Sequence, residues 1–144
     1  MQIKTEILIN APVEKVWEVL TAFANYPEWN PFIRKINNVK SVGDQINVTI
    51  DPPNQNPMNF SPQLLCLDEN QEFRWKGKLF FKGLFDGEHY FQLQPDGKGN
   101  TLFVHGEHFS GLLVNFIMKR IGKDTLSGFE AMNQALKERV ESQI

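Results

Sequence analysis

With 144 residues, 15 basic and 17 acidic side chains and a formal net charge of −2, the chain has no basic tract to neutralise phosphates, which argues against nucleic acid as a partner. Its length predicts one domain, residues 1–144, able to bury a core without a metal or a disulfide. Cys66 is the single cysteine, so no intrachain disulfide can form. Together with a charged N-terminus, Met-Gln-Ile-Lys-Thr-Glu, that has no signal-type apolar run, it predicts a cytoplasmic protein.

The first element is a half-buried strand over residues 2 to 9, in which Ile3, Thr5, Ile7 and Ile9 alternate with Gln2, Lys4 and Glu6 and only Leu8 breaks the pattern. Asn10 is expected to cap a helix with Pro12 in its first turn and Val13, Val16, Trp17 and Leu20 as its buried stripe. The segment from Tyr26 to Phe32 holds Pro27 and Pro31, so it reads as an aromatic turn or a very short helix.

From Ile33 the pattern is that of sequential antiparallel strands. They cover Ile33–Val39, Ile46–Ile50, Met58–Leu67 with Pro62 at a bulge or edge, a strand around Phe73 and Trp75, then His89–Gln94 and Leu102–Phe109. From Leu112 to Ile144 apolar residues return at three- and four-residue steps, predicting a long amphipathic helix with a kink or break at Gly122. About thirty helical residues span roughly 45 Å, more than a flat face of a small domain needs, which predicts a curved sheet around the helix. Twelve Phe and three Trp call for a thick core or a hollow lined with rings. No apolar run approaches the roughly eighteen residues of a membrane span.

Residues 11–20, Ala-Pro-Val-Glu-Lys-Val-Trp-Glu-Val-Leu, and 26–32, Tyr-Pro-Glu-Trp-Asn-Pro-Phe, resemble the N-terminal signature of the SRPBCC superfamily, which includes START-like, pollen-allergen-like and polyketide cyclase/dehydrase-like proteins. Gly99-Asn100-Thr101, His105-Gly106-Glu107 and Phe109-Ser110-Gly111-Leu112-Leu113 are similar to its small bacterial members. The resemblance implies an α+β helix-grip fold: about seven antiparallel strands wrapped around the C-terminal helix, two short helices after the first strand, and a cavity that often holds apolar ligands. It names no catalytic residue.

The candidate polar anchors are His105, Glu107 and His89. His105 and Glu107 share a strand face, and His89 lies on the preceding strand of the hairpin. An imidazole and a carboxylate in an apolar hollow can hold a ligand carbonyl or hydroxyl, or act as acid and base. They can equally hydrogen-bond within the sheet. Asn133 interrupts the apolar face of the last helix and needs a partner. Strand parity gives Phe60, Trp75, Phe91 and Phe103 as the apolar wall, with Ile46, Val48, Ile50 and Leu64, and gives Phe129 and Met132 from the helix.

Metal binding by His105, Glu107 and His108 ranks low, because His108 falls on the opposite face. Cys66 reads as a packing thiol, and no cofactor motif appears. The apolar segment from Trp75 to Phe85 carries Leu79, Phe80, Phe81 and Leu84 among three lysines. It reads as further short strands, as a lid, or as a surface making transient membrane contact. A passive carrier of lipid-like or polyketide-like molecules, a cyclase- or hydrolase-like enzyme, and a protein-partner module using Phe80 and Phe81 all stay open.

Overall fold

A computed structural model describes residues 1–79 and 81–143. Phe80, the side chain of Leu79 and Ile144, all used in the sequence reading, lie outside the described residues. The order is β1 (Gln2–Ile9), α1 (Val13–Thr21), a 3-10 turn (Phe23–Asn25), α2 (Tyr26–Trp29), β2 (Ile33–Asn37), β3 (Asn47–Ile50), β4 (Met58–Phe60), β5 (Gln63–Asp68), β6 (Glu72–Leu79), β7 (Phe85–Pro95), β8 (Thr101–Ser110) and α3 (Val114–Glu141).

The strands form a five-stranded sheet, β1-β8-β7-β6-β5, and a three-stranded sheet, β2-β3-β4. All pairs are antiparallel. Eight strands replace the expected seven because Pro62 does more than bulge one strand. Lacking an N–H, it ends the Met58 strand and the chain restarts as β5 in the other sheet. Residues 43 to 46 stitch the two sheets at this point: Ile46 N donates to Pro62 O at 2.9 Å and Leu64 N to Asp44 O at 2.9 Å.

β1 keeps the expected alternation, with Ile9 fully buried and Gln2, Lys4, Glu6 and Leu8 exposed. Asn10 does not cap α1. Pro12 occupies that position with no side-chain cap, and the Asn10 amide instead donates to Glu141 Oε2 at 2.8 Å. Beside it Lys137 Nζ donates to Leu8 O at 2.8 Å, so the end of α3 is tied to the end of β1. Tyr26, wholly buried, donates its hydroxyl to Leu20 O and fastens α2 to α1.

α3 runs unbroken through Gly122, so the expected break there is absent. Its 28 residues span roughly 42 Å. Phe129, Met132, Leu136 and Val140 are buried in the main core with Val16, Leu20 and Ile33. Gly128 is needed where Phe32 crosses the helix, since a Cβ there would collide with the Phe32 ring. The earlier stripe behaves differently: Leu112, Leu113 and Phe116 stay exposed. The architecture is α+β of the helix-grip type, with the long helix packed on the antiparallel sheet. Among the described residues no helix is long and apolar enough to cross a membrane.

Candidate functional site

β7 and β8 pair without a register shift over ten residues, setting His89 opposite Glu107 and Phe91 opposite His105. Strand parity therefore survives, and both histidines turn toward α3 while His108 turns away and stacks on Tyr90 at 5.3 Å. The inward groups form a chain. His89 Nδ1 lies 3.2 Å from Glu107 Oε1, His89 Nε2 lies 2.7 Å from His105 Nε2, and His105 Nδ1 lies 2.9 Å from Asn133 Oδ1 on α3. Asn133 Nδ2 then donates to Thr5 Oγ1 at 2.7 Å, and Thr5 donates to the His105 carbonyl at 2.8 Å.

The far end of this chain dictates its polarity. The single hydroxyl proton of Thr5 is committed to a carbonyl, so Thr5 accepts from the Asn133 amide and Asn133 Oδ1 must accept from His105 Nδ1–H. Burial, reinforced by the neighbouring His89, holds the His105 pKa well below the ordinary histidine value, so the ring is neutral. Its Nε2 is then a bare acceptor, and His89 Nε2 must carry the proton between them. His89 Nδ1 then faces Glu107 Oε1, and the carboxyl group forms the end of the chain.

Aromatic rings fix the two imidazoles. Trp75 stacks on His89 at 4.8 Å and Phe129 on His105 at 4.1 Å, and both histidines are fully buried. Gly87 provides the room for the carboxylate, because a Cβ at that position would overlap Glu107 Oε2. Neither Gly87 nor Thr5 was singled out from the sequence. A glycine directly before the Glu88-His89 pair in an aromatic strand is the one signal that could have marked the first.

Glu107 opens onto a cavity of about 440 Å³. Trp75, Phe85 and Phe109 wall it from the large sheet, Ile50, Met58 and Phe60 from the small one, and Leu113, just before α3, joins Phe116, Ile117 and Ile121 from the helix's first half. Phe32 lines it as well. Lys78, Gln55 and Thr125 are the other polar side chains on the wall. Of the sequence candidates, Glu107, Trp75, Phe60 and Ile50 line this space, whereas Ile46, Val48 and Leu64 are buried in the core. His89, His105 and Asn133 stand behind Glu107, and Phe91, Phe103, Phe129 and Met132 pack in the core, outside the lining. The helical wall lies one to four turns earlier than Phe129, in the stripe that leaves the core.

Among the described residues no group of histidine, cysteine and acidic side chains is placed to hold a metal. Cys66 is half-buried on β5, and burial with the neighbouring Asp68 and Glu72 pushes its thiol up to about 11, which leaves it protonated and unreactive at neutral pH.

Solved structures share this fold across their length. A protein of Mesorhizobium loti superposes with a TM-score of 0.76 at 20% identity, covering 100% of this chain and 99% of its own. A START superfamily protein from Mycobacterium smegmatis gives 0.73 at 19%, covering 99% of each. Norcoclaurine synthase from Thalictrum flavum gives 0.74 at 16%, covering 99% of this chain and 95% of its own. No curated protein matches the sequence. The family model for polyketide cyclase / dehydrase and lipid transport matches residues 1–141, and the chain belongs to that family.

Proposed function

We propose that the protein binds an apolar small molecule, lipid-like or polyketide-like, between the sheets and the first half of α3, with a hydroxyl or carbonyl of the ligand against Glu107. The carrying observation is a hollow of about 440 Å³ whose wall is mainly aliphatic and aromatic and holds one carboxyl group, that of Glu107. That volume falls within the range of small-molecule sites, and such sites combine an apolar wall with a few placed polar groups. The family description, which couples cyclase and dehydrase chemistry with lipid transport, supports the same class. The lone Cys66 supports a cytoplasmic setting.

Titration with a fluorescent fatty acid, cis-parinaric acid, tests this reading. Saturable uptake is expected in the parent protein. Ile117→Trp, which adds bulk to the helical wall of the hollow, is expected to weaken uptake by about tenfold or more. Absence of uptake by the parent protein would remove the reading.

A second reading, acid–base catalysis on the bound molecule, is favoured by the ordered chain behind Glu107. An enzyme of the cyclase kind would use Glu107 as the group touching substrate, with His89, His105 and Asn133 positioning it. Glu107→Gln keeps the shape and can still donate to His89, but it cannot take up a proton. On a compound recovered from the protein, this substitution is expected to cost about 10²-fold or more in turnover if the site is catalytic. It would leave parinaric acid affinity nearly unchanged if the protein is a carrier.

A further inference from the structure

The turn between β6 and β7 and the turn between β8 and α3 are joined: Leu112 N donates to Gly83 O and Leu113 N to Leu84 O, each at 3.0 Å. Together they carry an apolar edge on the protein surface. Leu112 is 89% exposed, Phe81 63% and Phe116 59%, and Leu113 and Phe116 continue inward as cavity wall. A run of large apolar side chains open to water at a cavity rim marks an interaction surface.

The charge around this edge names what it meets. Lys82 follows Phe81, and Lys119, Arg120 and Lys123 lie on the exposed side of α3 within two turns of Phe116. Among the described residues none of these four forms an ion pair, although the chain carries a net charge of −2. The Arg120 guanidinium lies 4.8 Å over the Phe116 ring, so apolar and cationic groups occupy one surface. Lys76, Lys78 and Lys82 also border a polar hollow that holds one acidic side chain, Asp86, and shares Gly77 and Lys78 with the cavity. Cations ringing exposed apolar side chains complement a bilayer surface bearing anionic headgroups. A neutral protein partner offers no reason for this ring.

We propose that this edge docks on anionic membrane, with Phe81, Leu112 and Phe116 entering the headgroup region and Lys82, Lys119, Arg120 and Lys123 meeting its charge, so that the cavity opens toward the lipid. The docking stands on the surface alone. Its use for loading the cavity rests on the proposed ligand binding.

Co-sedimentation with vesicles tests it, comparing phosphatidylcholine alone with phosphatidylcholine containing phosphatidylglycerol. Binding is expected only with the anionic lipid and to weaken as salt is raised. A Lys119→Glu/Arg120→Glu variant is expected to lose about tenfold or more in affinity, and a Phe81→Ser/Leu112→Ser variant a comparable factor. None of these four side chains lines the cavity, so uptake of cis-parinaric acid from solution by both variants should match the parent and shows that they fold. Equal binding by parent and variants, or no binding to anionic vesicles, would overturn the docking while leaving the cavity intact. Vesicle binding without probe uptake would uphold docking and remove the ligand reading. A parent that sediments as a dimer, with the apolar variant monomeric and vesicles ignored, would assign the edge to a second copy of the chain.

Discussion

At the scale of single residues, the site rests on one buried histidine being held neutral. His105 is enclosed by Phe129, Phe91 and Phe103, faces His89 along β7, and meets Asn133 from α3. Burial and the nearby His89 lower its folded-state pKa far below the ordinary value of about 6.5. The unfolded chain therefore takes up a proton near pH 6.5 that the folded protein refuses. The stability contributed by neutral His105 is complete above that pH and falls by about 1.4 kcal/mol per pH unit below it, until the folded pKa is reached. Urea unfolding at pH 7.5, 6.5 and 5.5 should show this slope in the parent protein. It should be reduced by about one proton in His105→Gln. A slope unchanged by the substitution would show that the folded protein accommodates the charged ring.

The polar residues of the site were legible because β7 and β8 pair without a bulge. Alternation then places His105 and Glu107 on one face and His89 opposite, as the sequence spacing implies. Thr5 was not legible as a member: its role depends on β1 returning across about a hundred residues to pair with β8, opposite His105.

At the scale of elements, α3 shows where local rules mislead. Glycine costs helix stability, and the sequence accordingly suggests a break at Gly122. The helix continues because its two halves are held by different partners: the second by the main core, the first by the turn at residues 111–113 and the wall of the cavity. Gly122 is thus a tolerated weak point. A Cβ there meets only Met118 Cε, at 3.7 Å, an ordinary contact. Gly122→Ala is expected to stabilise the protein by about 0.5–1 kcal/mol, read as a rise in the urea midpoint with an unchanged slope. A destabilised variant would mean that the helix needs the freedom of glycine at this point.

Pro62 gives the opposite lesson. The sequence marks it as a defect in one strand, but its missing donor ends the strand altogether and divides the sheet in two. That division sets part of the cavity, since Pro62, Phe60 and Met58 line it at the step between the sheets. The segment from Trp75 to Phe85, which reads as short strands, a lid or a membrane-touching surface, is strand as far as Leu79. β6 ends at Leu79, β7 starts at Phe85, and residues 81 to 84 form a turn ahead of it.

At the scale of the whole molecule, the aromatic excess is divided between two uses. Phe73, Phe91, Phe103 and Phe129 interlock in the core. Phe32, Phe60, Phe85, Phe109 and Phe116 surround space. Composition suggested a thick core or a lined hollow, and the protein has both, next to each other along α3. Which phenylalanine serves which was not legible, because the choice depends on where the two sheets part and where Phe32 crosses the helix at Gly128. Parity along a strand reports the face a side chain takes, not whether anything fills the space beyond it.

The central claim is that this space holds an apolar molecule. Native mass spectrometry of the protein purified from its expression host, followed by denaturing extraction, tests it most directly. The account predicts an apolar adduct in the parent protein that is lost in Ile117→Trp, with the extract naming the chemical class. A clean unliganded mass for the parent, together with no uptake of cis-parinaric acid, would contradict it.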